Sequence, residues 1–102
     1  MRTALLQITS TDDPLENLKT VQTMLADVVA DGAAYVLTPE VTNCLSGSRT
    51  HQNAVLCHED DDPTLSALRD SAAKHGVWVT IGSLGLKTHS DDGRFANRQF
   101  LI

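Results

Sequence analysis

The sequence predicts an α/β chain ordered strand, helix, strand, loop, helix, strand and hairpin. Three observations carry this. Two apolar-periodic segments each open on an Asp-Pro pair, Asp13-Pro14 and Asp62-Pro63, and each meets a glycine at its end, Gly32 and Gly76. Short apolar runs precede or follow those segments at 3–8, 33–38 and 77–83. The end of the chain alternates apolar and polar residues behind the turn signal Ser90-Asp91-Asp92-Gly93.

Residues 3–8, Thr-Ala-Leu-Leu-Gln-Ile, are too short for a stable helix and lead into polar turn residues, so they read as a buried strand. Asp13 then caps a helix, Pro14 suits its first position, and Glu16 stands three residues after the cap. Leu15, Leu18, Val21, Leu25, Val28 and Val29 recur at helical spacing, and Gly32 ends the segment. Residues 33–38 form a second strand. Strand, helix and strand with short links make a βαβ unit, whose strands run parallel with a right-handed crossover.

Residues 39–61 contain Pro39, Gly47 and several Ser, Thr, Asn and Asp, and read as a long irregular connection of the kind that often carries function. Asp62 and Pro63 begin a second helix with a narrower apolar stripe, Leu65, Leu68 and Ala72, stopped at Gly76. Residues 77–83, Val-Trp-Val-Thr-Ile-Gly-Ser, form a third strand rich in β-branched side chains, with Trp78 expected in the core. Leu84 to Ile102 read as a hairpin. Its last residues, Phe100-Leu101-Ile102, are apolar with no closing turn, which predicts a domain that is truncated at its C-terminus.

The chain has 102 residues and a net charge of −5, with no cluster of Lys or Arg. Nucleic-acid backbones and anionic membranes both require clustered positive charge, so neither is an expected partner. No apolar stretch approaches the roughly 18 residues of a membrane span. Two cysteines, Cys44 and Cys57, do not make a disulfide scaffold, and Met1 to Gln7 lack a signal-peptide apolar region. The expected setting is reducing and cytoplasmic.

Glu40 is the first candidate for chemistry. It follows a buried parallel strand, and sites in open α/β sheets gather at the carboxyl ends of strands. Flanked by Val41 and Leu45, its carboxylate is expected to be partly desolvated and fit to act as a general base. From position alone, a solvated loop glutamate is the simpler reading. Cys44 lies four residues on, and Cys57 has His58 beside it, but adjacent residues on an extended chain point apart. His51, His58, His75 and His89 share no metal-ligand spacing, and Asp60 to Asp62 fit a helix N-terminus better than a metal site. Gly82-Ser83-Leu84-Gly85 lacks the lysine and the strand-to-helix setting of a phosphate loop. Thr42, Asn43 and Arg49 are within chain reach of a substrate carboxylate, with surface-loop roles as the simpler reading.

Val36-Leu37-Thr38-Pro39-Glu40 resembles the strand-then-Leu-x-Pro-Glu element of the nitrilase superfamily. The opening strand, the Asp13-to-Ala33 helix with its Gly-Ala exit, the Val77-to-Ser83 strand and the segment Arg94 to Ile102 resemble the family's elements in order. The set is most similar to the bacterial branch near ω-amidases and deaminated glutathione amidases. The resemblance implies the N-terminal half of an αββα sandwich, with residues 1–102 as a single partial carbon–nitrogen hydrolase domain. It implies a Glu–Lys–Cys set in which Glu40 is the general base, while the lysine and the nucleophilic cysteine lie beyond Ile102. It implies a small amide substrate, a thioester intermediate, no organic cofactor, no metal, and a homo-oligomer in the full-length form.

Two other readings share parts of this pattern. One is a non-catalytic half-domain serving binding or assembly. The other is a flavodoxin-like doubly wound domain, which requires parallel strands throughout, whereas the Asp92-Gly93 hairpin predicts an antiparallel pair.

Overall fold

A computed structural model describes residues 1–90 and 92–102. Along the chain these form β1 (Thr3–Leu5), α1 (Pro14–Ala30), β2 (Tyr35–Leu37), α2 (Arg49–Val55), α3 (Pro63–His75), β3 (Trp78–Lys87) and β4 (Phe95–Leu101), with a 3₁₀ turn at Glu59–Asp61. The strands form one sheet in the order β1-β2-β3-β4. β1 pairs parallel with β2 and β2 parallel with β3, while β3 and β4 pair antiparallel. That last pair excludes the flavodoxin-like reading. The turn expected between β3 and β4 includes Asp91, which lies outside the described residues.

Both long helices start as their sequence dictates. The Asp13 carboxylate accepts from the N–H groups of Leu15 (3.0 Å) and Glu16 (3.4 Å), two of the donors a helix start leaves unpaired. Asp62 does the same for Leu65 at 2.8 Å. At the other end of α3, Gly76 takes a left-handed conformation (φ 66°), which glycine adopts without a Cβ penalty. α2 departs from the sequence reading, which expected irregular chain over 39–61. Ser48 caps this helix by accepting from His51 N–H at 3.2 Å, but none of its seven residues is buried. Without an apolar stripe, hydrophobic periodicity has nothing to detect.

α1 and α3 pack on the same face of the sheet. Val21 and Leu25 from α1, and Leu65, Leu68 and Ala72 from α3, join Val36, Val79, Ile81, Leu84 and Leu86 in one buried cluster. Leu15, expected on the apolar face of α1, is instead 69% exposed in its first turn. The opposite sheet face is open and apolar, with Leu5, Trp78 and Leu101 at 76%, 58% and 65% exposure. Trp78 is therefore not a core residue. Side chains alternate along a strand, so burying Val79 turns Trp78 to the other face. One layer of helices on one sheet, with the second sheet face open, is the half of an αββα sandwich that the sequence predicts.

An extra residue in β3 shapes the region that follows β2. Ile81 pairs with Phe100 and Leu84 with Arg98, so three steps along β3 match two along β4. This bulge at Gly82–Ser83 shifts the alternation by one residue. Val79 and Ile81 before it, and Leu84 and Leu86 after it, all reach the same core.

Burial pushes the Asp62 carboxyl above its ordinary value of 3.8, against hydrogen bonds from Leu65 and Thr64 N–H groups that lower it. The folded chain therefore holds this proton more tightly than the unfolded one, and the stability it contributes is lost as pH rises through the raised value. Asp62→Asn keeps a capping side chain and removes the charge. Wild type should lose stability relative to this variant as pH rises above the ordinary carboxyl value of 3.8, read from urea midpoints. A wild-type advantage that grows with pH would contradict it.

Candidate active site

The carboxyl end of β2 leads directly into the site. Thr38 N–H donates to Thr80 O at 3.0 Å, closing the pairing with β3, and Pro39 then removes a donor and turns the chain. Glu40 follows in the turn, exposed, at the edge of a cleft of about 250 Å³ formed with Ile8, Thr9, Ser10, Pro39 and Leu45. The partial desolvation expected from Val41 and Leu45 is not seen. Leu45 is itself 58% exposed and Val41 only half-buried, so neither shields the carboxylate from water.

The turn is nevertheless fixed. Val41 has φ 50°, the left-handed region that β-branched side chains avoid, at a cost of about 1–3 kcal/mol. Its N–H donates to Ser83 Oγ at 2.8 Å, and Thr42 N–H donates to Ser83 O at 2.9 Å. Ser83 N–H in turn donates to Pro39 O at 3.4 Å. The Thr42 hydroxyl donates to Pro39 O at 2.6 Å and lies 2.8 Å from the Thr38 hydroxyl, with both threonines buried. Thr38 Oγ1 also accepts from Gly82 N–H at 3.2 Å. The approach is close enough that a Cβ on Gly82 would stand 2.5 Å from the Pro39 carbonyl carbon.

The chain beyond the turn is anchored as firmly. Asn43 is 1% exposed; its amide donates to Gly85 O and accepts from Gly85 N–H, both at 2.9 Å. Asn17, buried on α1, donates to Asn43 O and to Thr11 O, both at 2.8 Å. Thr42 and Asn43 are thus committed to structure rather than to a substrate. Arg49 donates to Gly93 O and lies 5.1 Å above the Phe95 ring, holding α2 to the hairpin.

Neither cysteine has the setting of a nucleophile. Burial first, then the charges of Asp12 and Asp13, push the Cys44 thiol up, and its Sγ donates to Asp12 O at 3.6 Å. Burial also raises the Cys57 thiol, with Asp62 adding to it and Lys87 opposing. A reactive thiol needs the opposite shift. His58 does not serve Cys57; its ring stacks on His89 at 4.4 Å. Lys19 lies on α1, Lys74 in the last turn of α3, and Lys87 at the end of β3, paired with Phe95 in the hairpin. Among the described residues, no group of three or more His, Cys, Asp or Glu side chains is gathered as metal ligands.

Gly82 and Ser83 are the site residues that sequence reasoning missed. The signal was a glycine inside a strand pattern, which marks a bulge or a close backbone approach. Gly82→Ala should destabilise the chain by about 1–3 kcal/mol in thermal denaturation, because the backbone of Thr38 and Pro39 has to move. Gly85→Ala is the control: its Cβ would meet Leu56 at an ordinary 3.6 Å. Equal losses for the two variants would contradict the close approach at Gly82.

Hydrolase Rv0480c of Mycobacterium tuberculosis is 35% identical over 97 residues, covering 95% of this chain and 32% of the relative. Deaminated glutathione amidase of Yersinia enterocolitica is 27% identical over 81 residues, covering 79% of this chain and 28% of the relative. The chain thus spans about a third of the length of the curated relatives it matches. Its structure superposes on the amidase from Nesterenkonia sp. with a TM-score of 0.74 at 28% identity, over 99% of this chain and 37% of the amidase. The C. elegans NitFhit protein shares the fold at a TM-score of 0.82 and 23% identity, over 100% of this chain and 26% of that one. The family Carbon-nitrogen hydrolase matches residues 2–102, all but the first residue, and the chain belongs to that family.

Proposed function

We propose that the chain supplies the general base of an amidase acting on a small amide, and that Glu40 is that base. The observation that carries this is the placement of Glu40 at the carboxyl end of a parallel strand, on a turn held by four hydrogen bonds to Gly82 and Ser83 of the neighbouring strand. The solved relatives support the chemistry. The Nesterenkonia amidase is known with a glutamate changed to glutamine, in a form showing Michael addition of acrylamide at its active-site cysteine. A cysteine-to-alanine form of that amidase is known in complex with butyramide.

In this reading Glu40 takes the proton from a cysteine thiol, and the thiolate attacks the amide carbonyl carbon. A lysine stabilises the oxyanion that forms. Protonated Glu40 returns its proton to the departing nitrogen, and ammonia leaves an acyl thioester. Glu40 then takes a proton from water, the hydroxide attacks the thioester, and the acid is released with the thiol restored. In this reading, which follows the family resemblance, the lysine and the nucleophilic cysteine lie beyond β4. By the same resemblance the complete enzyme is a homo-oligomer.

Ammonia release from small aliphatic amides tests the proposal, with the native gene product from source cells set beside Glu40→Gln. The substitution should lower kcat by at least about 100-fold with the fold intact, since a positioned general base contributes 10²–10⁴-fold. Residues 1–102 alone should release no ammonia. Full activity in Glu40→Gln would overturn the base assignment and favour a binding or assembly role.

A further inference from the structure

We infer that Ser83, with Gly82 beside it, is a positioning residue for Glu40: its hydroxyl holds Val41 in a left-handed turn that directs the carboxylate. The inference rests on the general-base reading of Glu40.

Left to itself, Val41 would leave the conformation it has. Its φ of 50° is one that β-branched side chains avoid, so the turn relaxes unless its neighbours over-determine it. Ser83 is 7% exposed and sits at the bulge in β3, and its hydroxyl accepts the Val41 N–H at 2.8 Å. Without that acceptor a half-buried donor is left unpaired, since among the described residues the Val41 N–H donates only to Ser83 Oγ. Glu40 is exposed, and among the described residues its carboxylate makes no hydrogen bond to a side chain. Its direction therefore follows from the backbone on either side of it. Pro39 on one side is tied to Ser83 N–H and to the Thr42 hydroxyl, and Val41 on the other is tied to Ser83 Oγ. One serine touches both flanks of the glutamate.

Gly82 lets this happen. A side chain there would run into the Thr38 and Pro39 backbone, so only glycine allows β3 to lie close enough for Ser83 to reach the turn. The bulge supplies the remaining condition. It adds the residue that lets Ser83 serve the turn while Ile81 and Leu84 both stay in the core. A misplacement of about 1 Å in a reacting group can cost about 100-fold in rate, so a turn that drifts is enough to disable a base that remains present.

Two measurements on Ser83→Ala test this. Amide hydrogen exchange, followed residue by residue in the native gene product, should speed up at Val41 by at least about 10-fold while Leu6 and Val79 in the sheet ladder keep their protection. Unchanged exchange at Val41, or equal acceleration at all three amides, overturns the inference, because Ser83 then holds nothing or holds the sheet. In the native gene product, Ser83→Ala should lower kcat by about 10- to 100-fold with KM within about 2-fold. Adding Val41→Asn should restore kcat to within about 3-fold of Val41→Asn alone, since asparagine tolerates the left-handed region without the clamp. Wild-type kcat in Ser83→Ala, in an enzyme that Glu40→Gln inactivates, overturns the positioning role and leaves the base reading standing. Activity untouched by Glu40→Gln sinks the base reading itself, and with it any catalytic meaning of the clamp.

Discussion

The seat of the β2 exit turn on the bulge in β3 is the contact on which the rest of this structure depends. Two parallel strands bring Thr38 and Thr80 together, and the bulge then gives Gly82 and Ser83 backbone and hydroxyl groups to spare for the turn. The same extra residue returns Leu84 and Leu86 to the core that Val79 and Ile81 began. A site and a core thus share one irregularity. Placing it elsewhere along β3 would move the turn's anchor and turn apolar side chains to the wrong face.

From this seat the loop is built outward by amides. Asn43 pairs with both backbone groups of Gly85, and Asn17 ties the loop to α1, so buried polar groups that would be costly alone satisfy one another. The result is an exposed carboxylate on a backbone turn hydrogen-bonded on both sides. Exposure and order are separate properties here: the Glu40 side chain meets solvent while its backbone is fixed on both sides. The open apolar face of the sheet, with Leu5, Trp78 and Leu101, is the face that an αββα sandwich buries against its second sheet. It lies on the side of the sheet away from α1 and α3.

What the sequence disclosed depended on the range of the interaction. Asp13-Pro14 and Asp62-Pro63 announced their helices because a cap acts within three residues. The strand-end position of Glu40 was legible for the same reason, one strand followed directly by Pro39. Its exposure was not, because shielding depends on how Leu45 is carried by the loop. Contrary to expectation, Trp78 is not in the core, because strand parity turns it to the open face when Val79 is buried. A surface-loop role is the simpler sequence reading for Asn43 because its partner Gly85 lies 42 residues away along the chain. The bulge was written in the sequence as a shift of alternation, from Val79 and Ile81 to Leu84 and Leu86, which ending the strand at Ser83 concealed.

The central claim is that Glu40 activates a thiol, and the most direct test is the rate of thiol alkylation. The native gene product would be treated with iodoacetamide near neutral pH, with and without Glu40→Gln, and the modified cysteines located by peptide mapping. The account predicts one fast-reacting cysteine outside residues 1–102 that becomes slow in Glu40→Gln, while Cys44 and Cys57, whose thiols burial pushes up, stay slow in both. A fast cysteine whose rate ignores Glu40, or fast reaction at Cys44 or Cys57, would contradict it.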